Sequence, residues 1–433
     1  MAGSEQETAP AAQVAECDVA TEIPALEAAR PGILALVLVR TFGEPIGLLT
    51  QTLPAGGITS SDLARAIVRE LEPQLRVRFE ACGLTWNGEL PTGGVEPPQT
   101  PYFLKAREQV LRDGPRMTVA VCTHDRPDEL PVTLKSLFAQ TYERLRILVV
   151  DNAPSDSRTQ KLVSALAREQ DIEYVAEPRP GLSWARNRAI EVADGEVIGW
   201  VDDDEQCDPW WACEIARGFV DVPGAEAVTG IVIPHELETP SQLWFEQYCG
   251  VRRQRGFERA VFSAQQQSPL YPLPPFGKGA NMAFRRSALD RIGRFDCALG
   301  AGTVTRTGED TAALSELLLT GGTIVYQPSA IVYHRHRREL GELHDLLVGH
   351  GRGLGAFYTS MLVHRPSCAL ELVRLSRQAM RDQLSPRGRR LQGLDPDFPR
   401  ELLRANRLGL LQGPFTYPVA RLHARRLRNA TPG

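Results

Sequence analysis

Apolar and polar positions change their period along this chain, and the changes mark its parts. Residues 1–30 show no period and are expected to be a disordered N-terminus. Residues 31–112 read as a small α/β unit. There "ILALVLVR" and "EPIGLLTQTL" are two strands joined through Gly43, and "TSSDLARAIVRELEPQL" is a helix capped by Ser60 or Ser61. A Pro/Gly-rich stretch, "LPTGGVEPPQTP" (90–101), then breaks the chain as a linker. From 116 onward strands and helices alternate. "MTVAVCT" (117–123) is a buried strand, and Leu130, Leu134, Leu137 and Phe138 form the stripe of an amphipathic helix. "LRILVVDN", "IEYVAEP" and "EVIGWV" are further strands, with helices over "DSRTQKLVSALAREQ" and "GLSWARNRAIEVADG" between them. Such a series predicts parallel strands with right-handed crossovers, whose ligands bind outside the carboxyl ends of the strands. Three strands end there in polar groups: Thr123 with Asp125, then Asp151, then Asp202, Asp203 and Asp204.

Composition narrows the class. A chain of 433 residues with 42% hydrophobic and 24% charged residues is globular and long enough for two or three domains. A net charge of −4 gives no signature of nucleic-acid binding. The eight cysteines form no CxxC pair and read as reduced thiols. No signal-peptide pattern precedes the first strand, and "GILALVLV" is too short to span a bilayer, so a cytoplasmic location is expected. Charge is uneven: residues 351–433 hold fifteen arginines and five acids. That region repeats leucines at helical spacing, and its arginines suit either a solvated helical tail or peripheral contact with an anionic membrane at its inner face.

Three adjacent aspartates at a strand end need a cationic partner, because carboxylates repel and are expensive to desolvate. Continued alternation would point Asp202 and Asp204 to one side and Asp203 away. Hard oxygen donors so placed suit Mn²⁺ or Mg²⁺, which also bind diphosphate oxygens. A solvated strand-end loop is the plainer reading of "DDD" taken alone. Asp310, near a helix start in "GED", reads alone as an N-cap. "TIVYQPSAIVY" predicts two short strands broken by Pro328, with His334 and His336 on one side. "GRGLGA" (351–356) follows a helical pattern rather than a strand, so its small residues serve close packing and not a phosphate cradle. Trp211 is able to stack on an acceptor sugar, with packing beneath the site as the alternative. The stretch 257–277 reads as a flexible loop over the acceptor site.

Four stretches, in order, resemble family-2 glycosyltransferases: "VAVCTHDRPDELPVTLKSLFAQTYERLRILVVDN", "GLSWARNRAIEVADGEVIGWVDDDEQCDPWW", "GANMAFRRSALDRIGRFD" and "TGEDTAALSELLLTGG", followed by "VYHRHR". The resemblance covers about residues 116–336. It implies a GT-A-type, Rossmann-like mixed α/β sheet flanked by helices at 113–340, after a small N-terminal α/β domain at 31–112. A helical, Arg-rich region at 341–433 would follow. It further implies an inverting transferase taking a UDP-, GDP- or dTDP-sugar to a hydroxyl acceptor such as a glycan, a lipid-linked glycan or a natural product. By position, Thr123, Asp125, Asp151, Arg186, Asp202 and Asp203 would bind the nucleotide sugar. Asp202 and Asp204 would form the DxD metal pair, with His334 (or His336) completing the shell around Mn²⁺ or Mg²⁺. Asp310 would be the catalytic base, and Glu309, Gly279 and Trp211 would face the acceptor. Two alternatives stand beside this reading: a nucleotidyltransferase of similar fold, and a non-catalytic nucleotide-sugar-binding partner subunit.

Overall fold

A computed structural model describes residues 11–253, 255–263, 265, 268–271, 275–384 and 391–430. The chain begins with β1 (Ala12–Asp18), β2 (Ile33–Thr41), β3 (Glu44–Leu53), α1 (Ser60–Ala81) and α2 (Tyr102–Asp113). It continues through β4 (Met117–Thr123), α3 (Leu130–Phe138), β5 (Leu145–Asn152), α4 (Arg158–Leu166), β6 (Ile172–Glu177), α5 (Leu182–Val192) and β7 (Val197–Asp202). Next come β8 (Glu205–Cys207), α6 (Trp211–Asp221), β9 (Ala227–Pro234), α7 (Pro240–Cys249), β10 (Ala260–Ser263), β11 (Asn281–Arg285) and α8 (Arg286–Ile292). The last elements are α9 (Glu309–Leu319), β12 (Thr323–His334), α10 (Leu340–His364), α11 (Ala369–Leu384) and α12 (Arg400–Ala430). The described residues divide into two compact units, one drawn from 1–109, 233–258 and 335–340, the other from 110–232, 259–334 and 341–433.

In the first unit β1, β2 and β3 form a three-stranded sheet, with β1 parallel and β3 antiparallel to β2. A two-residue turn, Phe42–Gly43, joins β2 to β3. Both residues have positive φ (53° and 81°), the geometry that matches strand twist in a tight hairpin. The sequence put disorder through residue 30. Residues 1–10 lie outside the described residues, but Ala12–Asp18 is a strand. Asp18 explains why: its carboxylate accepts the N–H groups of Phe42 (3.0 Å) and Gly43 (2.6 Å), tying the end of β1 to the turn. The α1 cap is Thr59, not Ser60 or Ser61; its hydroxyl accepts the Asp62 N–H at 3.2 Å. This unit also takes in α7 and residues 335–340, separated from it in sequence.

The second unit has the expected mixed α/β sheet with flanking helices, followed by a helical C-terminal region. Its sheet runs β10-β12-β9-β11-β7-β4-β5-β6, with β8 added on β12. The β7, β4, β5 and β6 strands are parallel, and β11 pairs antiparallel with both β7 and β9. Both faces of the parallel strands are covered, so β4, β5 and β7 are buried almost throughout. Pro328 does not split the strand as expected. β12 is continuous, and Pro328 falls between its pairings with β10 (323–326) and β8 (332–334), where that side has no ladder partner to lose. Residues 260–263, expected to be loop, are strand β10; other parts of 257–277 lie outside the described residues.

The C-terminal helices pack through glycine. A Cβ on Gly351 would sit 1.9 Å from the Asn406 carbonyl oxygen, and one on Gly409 would sit 2.1 Å from that of Val348. Gly351 and Gly355 of "GRGLGA" therefore let α10 and α12 meet backbone to backbone, while Gly353 packs against Thr307 before α9. Tyr417 Oη (2.8 Å) and Ser360 Oγ (2.9 Å) both donate to Asp296 and fix the pair to the sheet domain.

Candidate active site

Parallel register brings the first polar groups together. Thr123 on β4 pairs with Asp151 on β5, and Cys122 pairs with Asp202 on β7. Neighbouring strands lie about 4.8 Å apart, so the ends of three strands form one polar edge. Asp151 is fully buried. Tyr174 Oη donates to its Oδ2 at 3.0 Å, and its Oδ1 has no hydrogen-bond partner. Burial pushes this carboxyl up, with the Tyr174 bond acting against it. Asp125 adopts a positive φ of 54° and accepts the Ser155 N–H at 2.9 Å, a bond that holds its carboxyl below the usual range. Beside it, His124 Nδ1 lies 2.6 Å from the Asn152 carbonyl oxygen.

The aspartate triplet is not arranged as alternation predicts. β7 ends at Asp202, and the chain turns at 203–204 before β8. Asp203 is buried and accepts Thr123 Oγ1 at 2.7 Å and Arg126 at 3.0 Å, so both its oxygens are engaged. Asp204 accepts the same Arg126 nitrogen at 3.1 Å, which puts Asp203 and Asp204 on one guanidinium instead of on opposite sides. Arg126 is the cation that the triplet needed, and it went unnoticed in the sequence. Its signal was a basic residue in the loop after the first strand of the alternating series. Glu205 was also missed. It is fully buried, accepts the Asp202 N–H at 2.9 Å through Oε2, leaves Oε1 without a hydrogen-bond partner, and is raised well above the usual range by burial.

A second cluster joins three distant segments. Arg186 on α5, 2% exposed, donates to Glu309 Oε1 at 2.9 Å and to the Gly279 carbonyl at 3.3 Å. It also lies 3.8 Å from Asp202 Oδ1. Arg186 thus ties α5 to α9 and to the loop before β11, and its buried Nε has no hydrogen-bond partner. Asp310, in the first turn of α9, accepts the Gly279 N–H at 2.7 Å through Oδ2 and the Thr311 N–H at 2.6 Å through Oδ1. A Cβ on Gly279 would lie 2.6 Å from Asp310 Oδ2, so only glycine allows this approach. Burial pushes Glu309 up to about 7, against the pull of Arg186 and with Asp310 adding to it. Burial likewise pushes Asp202 up to about 6; Arg186 opposes this, and Asp204, Asp203 and Asp310 reinforce it. The Asp202 side chain is 38% exposed, so solvent tempers that crowding.

The remaining expected residues divide. His334 Nε2 stands 3.9 Å from Asp204 Oδ1. His336 belongs to the other unit, where it is buried 3.2 Å from Glu246 Oε2 and against Phe245. Trp211 is not an acceptor contact. It is fully buried, donates Nε1–H to Asn281 Oδ1 at 2.9 Å, and approaches Gly199 so closely that a Cβ there would lie 3.3 Å away.

Residues 118–293 match the family model described as glycosyl transferase family 2. The succinoglycan biosynthesis protein ExoM of Rhizobium meliloti (strain 1021) is 32% identical over 228 residues, 50% of this chain and 65% of that protein. The glucosyl-dolichyl phosphate glucuronosyltransferase of Haloferax volcanii is 24% identical over 233 residues, 51% of this chain and 69% of that protein. The chain thus spans about two thirds of the length of these relatives, just under it for ExoM. Among solved structures, the mannosyltransferase PcManGT from Pyrobaculum calidifontis, in complex with GDP-Man and Mn²⁺, covers 86% of this chain and 88% of its own at 18% identity, with a TM-score of 0.44. Residues 118–293 of this chain are thus similar to glycosyltransferase family 2.

Proposed function

We propose that the protein transfers a sugar from a nucleoside diphosphate sugar to a hydroxyl acceptor with inversion at the anomeric carbon. The observation that carries this reading is the second cluster. Asp202 at the end of β7, Gly279 before β11 and Asp310 at the start of α9 are drawn together by Arg186 and by the Gly279–Asp310 hydrogen bond. In the reaction the acceptor oxygen forms a bond to the anomeric carbon, the bond from that carbon to the diphosphate breaks, and Asp310 takes the acceptor proton. The Gly279 and Thr311 N–H groups and the Thr311 hydroxyl (3.3 Å) fix the orientation of its carboxylate, and Oδ2, which accepts only the Gly279 N–H, keeps a lone pair for that proton. Glu309, tied to Arg186, sets the start of α9 rather than meeting the acceptor.

On the donor side, the buried and unpartnered Oδ1 of Asp151 suits an N–H of the nucleobase, since such an oxygen gains most from a donor. Thr123 and Asp125 edge the same end of the sheet. Asp203, with both oxygens engaged, holds Arg126 and Thr123 in place rather than the ligand. For a divalent cation, two ligands at about 2.1 Å each lie roughly 3–4.2 Å apart, and the 3.9 Å between Asp204 Oδ1 and His334 Nε2 falls within that span. Among the described residues no three His, Cys, Asp or Glu side chains are disposed to hold a metal. Asp204 and His334, with Asp202 beside them, would therefore hold Mn²⁺ or Mg²⁺ together with ligands from the donor. Once bound, the cation would neutralise charge on the departing diphosphate.

The test is hydrolysis of UDP-, GDP- and dTDP-sugars by the purified protein with and without Mn²⁺. Metal-dependent release of one diphosphate is expected, lost in Asp204→Ala. Asp310→Asn should keep donor binding and lose transfer. Binding of a donor with no turnover under any condition would favour the partner-subunit reading, and release of pyrophosphate from a nucleoside triphosphate would favour a nucleotidyltransferase.

A further inference from the structure

Helix α12 buries one face and leaves the opposite one bare. Ala405, Gly409, Gly413, Tyr417, Ala420 and Ala424 pack inward. Outward stand Leu408 (52% exposed), Leu411 (70%), Phe415 (78%), Val419 (58%) and Leu422 (58%). Their spacing of 3, 4, 4 and 3 residues, at about 100° per residue, confines them to an arc of roughly 80°. Scattered exposed apolar residues need no explanation, but five aligned along one helix do. The same helix holds seven arginines and a single acid, Glu401. Arg404 and Arg426 are exposed in line with the two ends of the stripe, and Arg425 is exposed on its flank.

Arginine also gathers in the hollows next to it. A hollow of about 680 Å³ between α12 and the loop before α9 is lined by Trp184, Val304, Arg306, Arg352, Leu422 and Arg426 among others, with no carboxylate in its wall. On the other side of Leu422, a hollow of about 240 Å³ is lined by Val363, Tyr417, Pro418, Arg421, Leu422 and Arg425. Helix α11 repeats the pattern, exposing Leu370 (60%), Val373 (68%) and Met380 (59%) among Arg374, Arg377 and Arg381.

We propose that α12 is a membrane-docking surface that lies in the interface of an anionic phospholipid bilayer, with its apolar stripe among the acyl chains and its arginines on lipid phosphates. A helix with an apolar face and an arginine-rich flank suits that plane, and each basic residue near such a surface adds attraction. The charge selects this occupant over a second copy of the chain, which would set these arginines against one another. No helix among the described residues is long and apolar enough to cross a membrane, so the helix lies on the bilayer and does not span it.

The experiment is flotation of the full chain with phosphatidylcholine vesicles, with and without phosphatidylglycerol, at low and high salt. It reads lipid binding and is independent of any sugar transfer. The protein should float with phosphatidylglycerol vesicles alone, and salt should release it. Phe415→Glu and Leu411→Glu, at exposed positions that leave the fold unstrained, should each lower binding at least about tenfold. The charge reversal Arg425→Glu/Arg426→Glu should do the same, while Val132→Glu on α3 should leave binding unchanged. Absence of flotation with either vesicle overturns the proposal, and so does equal binding to neutral vesicles. A dimer in solution that dissociates in Phe415→Glu without any vesicle binding would show that a second copy covers the stripe, and would also overturn it.

Discussion

Arg186→Met removes the cation that links the two halves of the candidate site. The guanidinium is 2% exposed, and its main partner Glu309, 2.9 Å away, is 8% exposed. Glu309 has no substitute: its second oxygen already lacks a hydrogen-bond partner. Removing one member of a buried ion pair typically destabilises by about 3–5 kcal/mol, whereas replacing both members by neutral groups is often close to neutral. Arg186→Met should therefore cost about 3–5 kcal/mol, and the double variant Arg186→Met/Glu309→Gln should recover about 2 kcal/mol or more of that loss. The pH dependence has a definite sign. Burial raises Glu309 from 4.5 to about 7 in the folded protein, so its favourable share of stability is complete below 4.5 and is lost as pH rises through about 7. Without Arg186 the carboxyl rises further, so the variant should lose more stability relative to wild type at pH 8 than at pH 5. Urea unfolding of wild type, Arg186→Met, Glu309→Gln and the double variant, followed by near-ultraviolet circular dichroism at both pH values, measures this. Additive losses in the double variant, or equal losses at the two pH values, would refute the reasoning.

Three further outcomes follow from single positions. Gly279→Ala sets a Cβ 2.6 Å from Asp310 and should lower kcat for transfer at least about tenfold with donor affinity little changed, measurable by steady-state kinetics and donor titration. Gly351→Ala, ordinarily worth up to about 1 kcal/mol of added helix stability, should instead destabilise by about 1–3 kcal/mol, because its Cβ meets the Asn406 carbonyl oxygen at 1.9 Å; a lowered thermal midpoint checks the reversal of sign. Asp151→Ala removes the unpartnered buried oxygen and should weaken binding of the nucleoside diphosphate about tenfold or more in calorimetry, while a change confined to stability would make Asp151 structural.

Local pattern by itself determined the alternating strands and helices from 117 to 202, because β-branched runs and leucine stripes state their period within one element. It also determined the polar edge, since a parallel series with right-handed crossovers puts Thr123, Asp151 and Asp202 at the same ends of their strands. The helical setting of "GRGLGA" was legible for the same reason, as was its use in close packing. What one element cannot state is its partner. Whether the three aspartates alternated depended on a turn at 203–204 and on Arg126, which reaches them from a loop 77 residues earlier. No local pattern states that Glu309, Asp202 and Gly279 surround Arg186, or that Trp211 is fully buried with its Nε1–H on Asn281. Strand β1 has no strong period of its own, and its order comes from the grip of Asp18 on a turn 24 residues away. Periodicity records which face of an element is buried, while the charge on a site residue is balanced by whichever groups the tertiary fold delivers to it.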